Sequence, residues 1–152
     1  MKIAIACGSR DWGHPTKRDH AADRDALWDA LDAESPDVLI EGGQVSKPPA
    51  LSSDKRWWGA DFFARQWAED RGVDLIEVPA LWDARGKGAG PRRNQFQLNI
   101  AASIAHYVGF VTGESFDRVC IAAPIGGPGT RNMLKLVRFM NWRVRLVRGS
   151  RE

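Results

Sequence analysis

A chain of 152 residues, 43% apolar and 27% charged, has the size and composition of one soluble globular domain, and its net charge of +3 is mild. No apolar run approaches the roughly 20 residues of a membrane span, and the opening run, Ile3 to Cys7, is too short for a secretory signal, so a cytoplasmic protein without membrane contact is expected. Two cysteines without a CxxC, and three scattered histidines, exclude a disulfide framework and a credible zinc site, so no metal and no required cofactor are expected.

Lys2 to Cys7 reads as a first buried strand that runs at once into Gly8, Ser9 and Arg10. A polar loop through Trp12, Gly13 and Pro15 leads to a helix over 20–33, whose stripe is Ala22, Ala26, Leu27, Ala30 and Leu31. Pro36 and Asp37 break it. A second strand over 37–41 again meets glycine, at Gly42 and Gly43. Residues 44–58, with Pro48, Pro49, Ser52 and Ser53, read as an inserted loop acting as a lid or an intersubunit arm. Gly59 to Asp61 open a helix that buries Phe63, Ala64, Trp67 and Ala68 and stops at Gly72.

A third strand covers 74–78 and closes at Pro79. Trp82 to Gly90 reads as a glycine-rich polar loop. Pro91 suits the first turn of a long helix, with Phe96, Ile100, Ala101, Ile104, Ala105 and Val108 on one face. This helix and its connection extend over 95–117. A fourth strand over 118–123 runs into Gly126, Gly127, Pro128, Gly129 and Thr130, followed by a helix over 131–141. Trp142 to Val147 alternates apolar and basic residues, as an edge strand does.

Strand and helix thus alternate through the chain. That order predicts one α/β domain over 1–152, Rossmann-like and three-layered, with a mainly parallel five-stranded sheet and helices on both faces. Ligands in such sheets bind beyond the strands' C-terminal ends, where strand order reverses. The Gly126–Thr130 turn is the strongest candidate there. Glycines admit close backbone approach, first-turn N–H groups lack helical partners, and the helix dipole favours an anion. A tight βα turn that binds nothing has the same pattern. Thr130 is the expected N-cap.

Taken together, GSR at Gly8–Arg10, EGG at Glu41–Gly43, GAD at Gly59–Asp61, AGPRRN at Ala89–Asn94 and GGPGT at Gly126–Thr130 resemble the YspA/YpsA-related branch of the SLOG superfamily, in its order and over most of the chain. The resemblance implies a Rossmann-like binder of nucleotides or nucleotide-derived ligands. Related modules include cytokinin-activating phosphoribohydrolases, DNA-binding DprA proteins and sensors of cyclic ADP-ribose signals in antiphage defence. This chain departs in separating EGG from GAD by fifteen residues and in prolonging the helix after AGPRRN. The phosphoribohydrolases also carry a glutamate just after their glycine–threonine motif, where this chain has Arg131 and Asn132.

Arg10, Arg92 and Arg93 are the candidate phosphate partners, because a guanidinium fork matches phosphate oxygens two at a time; a solvated surface charge is the alternative for each. Gly8, Ser9, Gly42, Gly43, Gly126, Gly127, Gly129 and Thr130 supply backbone and hydroxyl groups. Asn94 suits a ribose or base edge, or merely starts its helix. Asp61 and Glu41 are the acids for ribose hydroxyls, and Asp61 alternatively serves its own helix start. Of seven tryptophans, Trp28 and Trp67 read as core, whereas Trp12, Trp57, Trp58 and Trp82 lie in loops where an indole can stack on a base. The Trp57–Trp58 pair fits a subunit interface equally well, and a homo-oligomer is expected.

Three functions follow in order. The first is a non-catalytic nucleotide-ligand binder, a sensor or sequestering protein for an ADP-ribose-like or cyclic nucleotide signal. The second is a nucleotide N-glycosidase, which needs a placed carboxylate. The third is a nucleic-acid binder using the C-terminal segment, where 131–152 holds seven basic residues and one acidic.

Overall fold

The computed structural model describes residues 1–150. Its elements are β1 (Lys2–Gly8), α1 (His20–Glu34), β2 (Val38–Glu41), α2 (Ala60–Arg71), β3 (Asp74–Glu77), α3 (Trp82–Arg85), α4 (Ala89–Thr112), β4 (Asp117–Ala123), α5 (Pro128–Phe139) and β5 (Arg143–Leu146). All strand pairs are parallel, and the sheet order is β3-β2-β1-β4-β5. The strand-by-strand expectation therefore holds, and β5 lies at an edge.

Period-two alternation sorts β1 between the two layers. Ala4 and Ala6 join α1 and α2 in one core with Leu27, Leu31, Phe63 and Trp67. Ile3 and Ile5 join α4 and α5 in the other with Leu98, Met133 and Val137. Right-handed crossovers account for this division. The chain steps outward through α1 and α2 on one face, then reverses past β1 and returns through α4 and α5 on the other. The result is a Rossmann-like three-layer α/β fold whose reversal point falls between β1 and β4.

Several local expectations are corrected. Trp12 is wholly buried, and its indole N–H donates to the Asp23 carbonyl at 2.8 Å, so it is core rather than a stacking surface. The segment 82–90 is a one-turn helix, a 3-10 turn over Gly86–Gly88 and the start of α4. Gly127, not Thr130, caps α5, with Pro128 in the first turn. α4 buries Asn94, Gln97, Leu98, Ala101 and Ala105, and leaves Phe96 60% exposed. The rest of the expected stripe holds, with Ala101 and Ala105 buried and Ile100 and Ile104 partly packed on the core; only its Phe96 end is turned out, where the inner face carries amides toward the site.

Residues 44–58 form an excursion pinned at its base by two Ser46–Trp58 backbone hydrogen bonds of 3.0 Å. The tryptophan pair is split. Trp58 packs into the core beneath His14, while Trp57 stays partly exposed beside Phe62 and Lys47. Leu51 is fully exposed.

Candidate functional site

The ends of β1, β2 and β4 stop short and hand over to glycine. At Gly8 an added Cβ would lie 2.5 Å from the Ala60 Cβ and 2.7 Å from the Ala123 carbonyl, so glycine lets three elements converge. Ser9 N–H donates to the Ala123 carbonyl at 3.0 Å, and the Ser9 and Trp12 carbonyls take the Ala60 and Gly59 N–H groups at 3.2 and 2.9 Å. The first turn of α2 is thereby partly satisfied from within. At α5 Pro128 has no N–H, and the Gly129 and Thr130 N–H groups lack a helical carbonyl. That turn is therefore a cradle that presents unpaired N–H groups and the positive end of the helix dipole, the chemistry that suits an anion.

A cavity of about 690 Å³ opens over this edge, within the size range of small-molecule sites. The structure brings Gly8, Ser9, Arg10, Gly42, Asp61, Trp82, Arg93, Asn94, Gly127, Gly129 and Thr130 around it. It does not bring in Gly43 or Gly126, and the Trp12, Trp57 and Trp58 rings lie elsewhere. Arg92 lines only a second, neighbouring depression with Phe96 and Leu81, which Arg93 also touches. Adjacent helical residues point about 100° apart, so only one arginine of the pair can face the site.

Within the cavity the two arginines have different states. Arg93 is anchored: its Nη1 donates to the Gly42 carbonyl at 2.7 Å, its Nε donates to Asn94 Oδ1 at 3.0 Å, and it lies 4.0 Å from Asp61 Oδ2. Arg10 is exposed, with its guanidinium 5.3 Å from the Trp82 ring centre, a cation–π pair at the mouth. Asn94 Nδ2 donates to the Gly129 carbonyl and to Asn132 Oδ1, at 3.1 and 3.0 Å. It holds the cradle's shape from α4 and is a positioning residue. Ser9 Oγ accepts from the Asp11 N–H at 3.1 Å.

Asp61 is buried in the cavity wall and accepts from the Gln44 N–H at 3.1 Å. Burial pushes its carboxyl up to about 6, opposed by the Arg93 charge and these hydrogen bonds. Behind it, Glu41 is buried beside Glu77 on the adjacent strand. Burial first, and the Asp61 charge second, push Glu41 up to about 9, so it is neutral at pH 7. Glu41 Oε2 accepts from the Gly43 N–H at 2.5 Å, and this acid braces the loop rather than meeting a ligand.

Cys7 also lines the cavity, with its Sγ 3.7 Å from Cys120 Sγ. The Cys120 contact and burial hold its thiol well above the usual range, which keeps it protonated and poorly nucleophilic. Among the described residues no cluster of His, Cys, Asp or Glu has the grouping to hold a metal, and no helix is long and apolar enough to cross a membrane.

Sequence reasoning missed Lys87, Gln44 and Gln97, which also line the cavity. Lys87 sits in the 3-10 turn, where its only signal is a lysine between two glycines. Gln97 lies one turn beyond Asn94, and that spacing could have found it. The basic C-terminal strand is largely neutralised. Arg143 and Arg145 donate to the buried Glu34 at 2.7–2.8 Å, and Arg143 also reaches Asp117 at 2.9 Å. Those hydrogen bonds hold Glu34 at about 2. When compared with protein-family models and with curated proteins, the sequence matches none.

Proposed function

We propose that the chain binds a nucleotide or nucleotide-derived ligand at the β1–β4 reversal point, as a sensor or sequestering protein. The carrying observation is one cavity that joins the open first turn of α5, the cations Arg10, Lys87 and Arg93, and the Trp82 ring. Phosphate suits the α5 turn with Arg10 and Lys87, because Arg93 is already engaged by Gly42 and Asp61. A base suits the face of Trp82, and Asp61 suits ribose hydroxyls. The five-motif resemblance to the SLOG superfamily points the same way, toward an ADP-ribose-like or cyclic nucleotide signal.

A specific observation also favours a second reading, N-glycosidic hydrolysis. A buried carboxylate poised near pH 6 in the cavity is what general acid–base catalysis requires. One experiment separates the two: melting temperature and product formation across a nucleotide panel, with mass spectrometry of whatever co-purifies. Stabilisation without turnover supports binding alone. Turnover that Asp61→Asn abolishes supports the enzyme. No shift with any nucleotide, and no co-purified nucleotide, overturns both.

A further inference from the structure

α4 is apolar on two opposite faces, and only one of them is covered. Its inner face, through Leu98, Ala101 and Ala105, packs on the sheet and α5. Its outer face carries Phe96, Ser103, Tyr107, Phe110 and Val111, with Ile100 partly covered at its border. Phe96, Tyr107, Phe110 and Val111 are 60%, 69%, 87% and 60% exposed. A surface helix whose second face meets water carries polar residues there, and scattered exposed apolar residues do not fall into one stripe. α4 is also about 36 Å long, well beyond the length of the strands it covers.

The stripe is shaped differently at its two ends. At the N-terminal end it borders a depression of about 630 Å³ between α4, α3 and the end of β3, walled by Val78, Leu81, Phe96 and Ile100 with Arg92 at its rim. At the C-terminal end it protrudes, with Phe110 the most exposed ring of the helix. Charge follows the same polarity. No acidic side chain among the described residues pairs with Arg92, whereas Glu114, just past the C-terminus of α4, is exposed and has only the chain's amino terminus, 3.9 Å away.

We propose that this face is the contact between two copies of the chain, with the α4 helices antiparallel about a two-fold axis near Ser103. That axis lays the partner's Phe110 over Phe96 and its depression, and sets Arg92 against the partner's Glu114. The small Ser103 at the crossing lets the helix axes approach. A two-fold contact repeats each pairing twice, so a hollow and a knob on one helix are self-complementary. The exposed arm 47–56 is a poorer occupant of the depression: with Arg56 paired to Asp54 it still brings Lys47 and Lys55 to a hollow where Arg85, Arg92 and Arg93 outnumber Glu77.

The test is sedimentation velocity on the full chain over a micromolar concentration series. The parent sediments as a dimer, at twice the 16.9 kDa chain mass. Phe110→Glu raises the dimer dissociation constant roughly 30-fold or more, as the loss of a central aromatic does. Arg92→Glu weakens the dimer, and the double variant Arg92→Glu with Glu114→Arg restores it. These charge variants lie on the surface and decide the matter even if Phe110→Glu folds poorly. A monomer throughout the series overturns the proposal. A dimer that survives both Phe110→Glu and Arg92→Glu does so too, and deletion of 47–56 then tests the arm as the contact instead. Failure of the double variant to recover the dimer overturns the antiparallel register.

Discussion

Replacing Glu41 with glutamine should make the protein more stable at alkaline pH and abolish most of the pH dependence of its stability above neutrality. In the fold Glu41 is buried, faces Glu77 across the β2–β3 pair, and is pushed up to about 9 by burial and by the Asp61 charge. In the unfolded chain its carboxyl titrates near the ordinary glutamate value of 4.5. The folded state therefore holds a proton that the unfolded state has released throughout that interval. Stability must then fall as pH rises from about 5 to about 9. Within the interval the slope approaches about 1.4 kcal/mol per pH unit. For a domain of this size that is about 3–5 °C of melting temperature per unit.

The other shifted carboxylates leave this window nearly clear. Glu34, Asp23 and Asp32 have lowered values, so their contributions are lost only as pH falls into the acid range. Asp61, raised to about 6, adds a falling limb that is complete near neutrality. Glutamine reproduces the neutral form, and its carbonyl can accept the Gly43 N–H. Thermal melts of parent and Glu41→Gln from pH 6 to 9 should diverge, with the parent declining and the variant nearly level above pH 7. A parent that is level from pH 7 to 9, with a variant less stable at pH 8.5, would show that Glu41 is ionised in the fold and refute the reasoning.

Three further outcomes are expected. Gly42→Ala would push a methyl group into the Arg93 guanidinium and toward Asp61 Oδ2; losing the charged hydrogen bond to the Gly42 carbonyl should cost about 1.5–3 kcal/mol of stability by denaturant melt, and Arg93→Ala should match it rather than add to it. Gly127→Val should leave stability nearly unchanged, because Gly127 has ordinary φ and open space around it, whereas Gly126→Val should destabilise through its φ of 86°; calorimetry with the ligand found by co-purification should show binding lost in the folded Gly127 variant. Glu34→Ala should strip Arg143 and Arg145 of their shared partner; both arginines are half-exposed and stay solvated, so the cost at pH 7 should be about 1–2 kcal/mol. Because Glu34 is held at about 2, that loss should shrink as pH falls from about 4.5 to 2, in denaturant melts across that range.

Alternation of strand and helix patterns determined the architecture, because a parallel strand needs a covering helix before the chain can return. The glycine runs that end β1 and β2 and follow β4 marked the edge where a site would form, since each such turn is a local backbone property. Which side chains face that edge was a tertiary decision. Arg92 and Arg93 are neighbours in the chain, yet the orientation of α4 brings Arg93 to the cavity and leaves Arg92 in the outer depression alone. Trp12 reads as a loop residue, and it is core because α1 returns Asp23 to meet its indole. Phe96 fits the helical stripe, but the amides Asn94 and Gln97 take the inner face to serve the cradle. The basic strand at the C-terminal end reads as unpaired charge, whereas α1 delivers Glu34 to two of its arginines across more than a hundred residues of chain. Local backbone chemistry is written in neighbouring residues. Partnership between charges and burial of rings depend on what distant segments bring to the same place, and only the folded chain decides that.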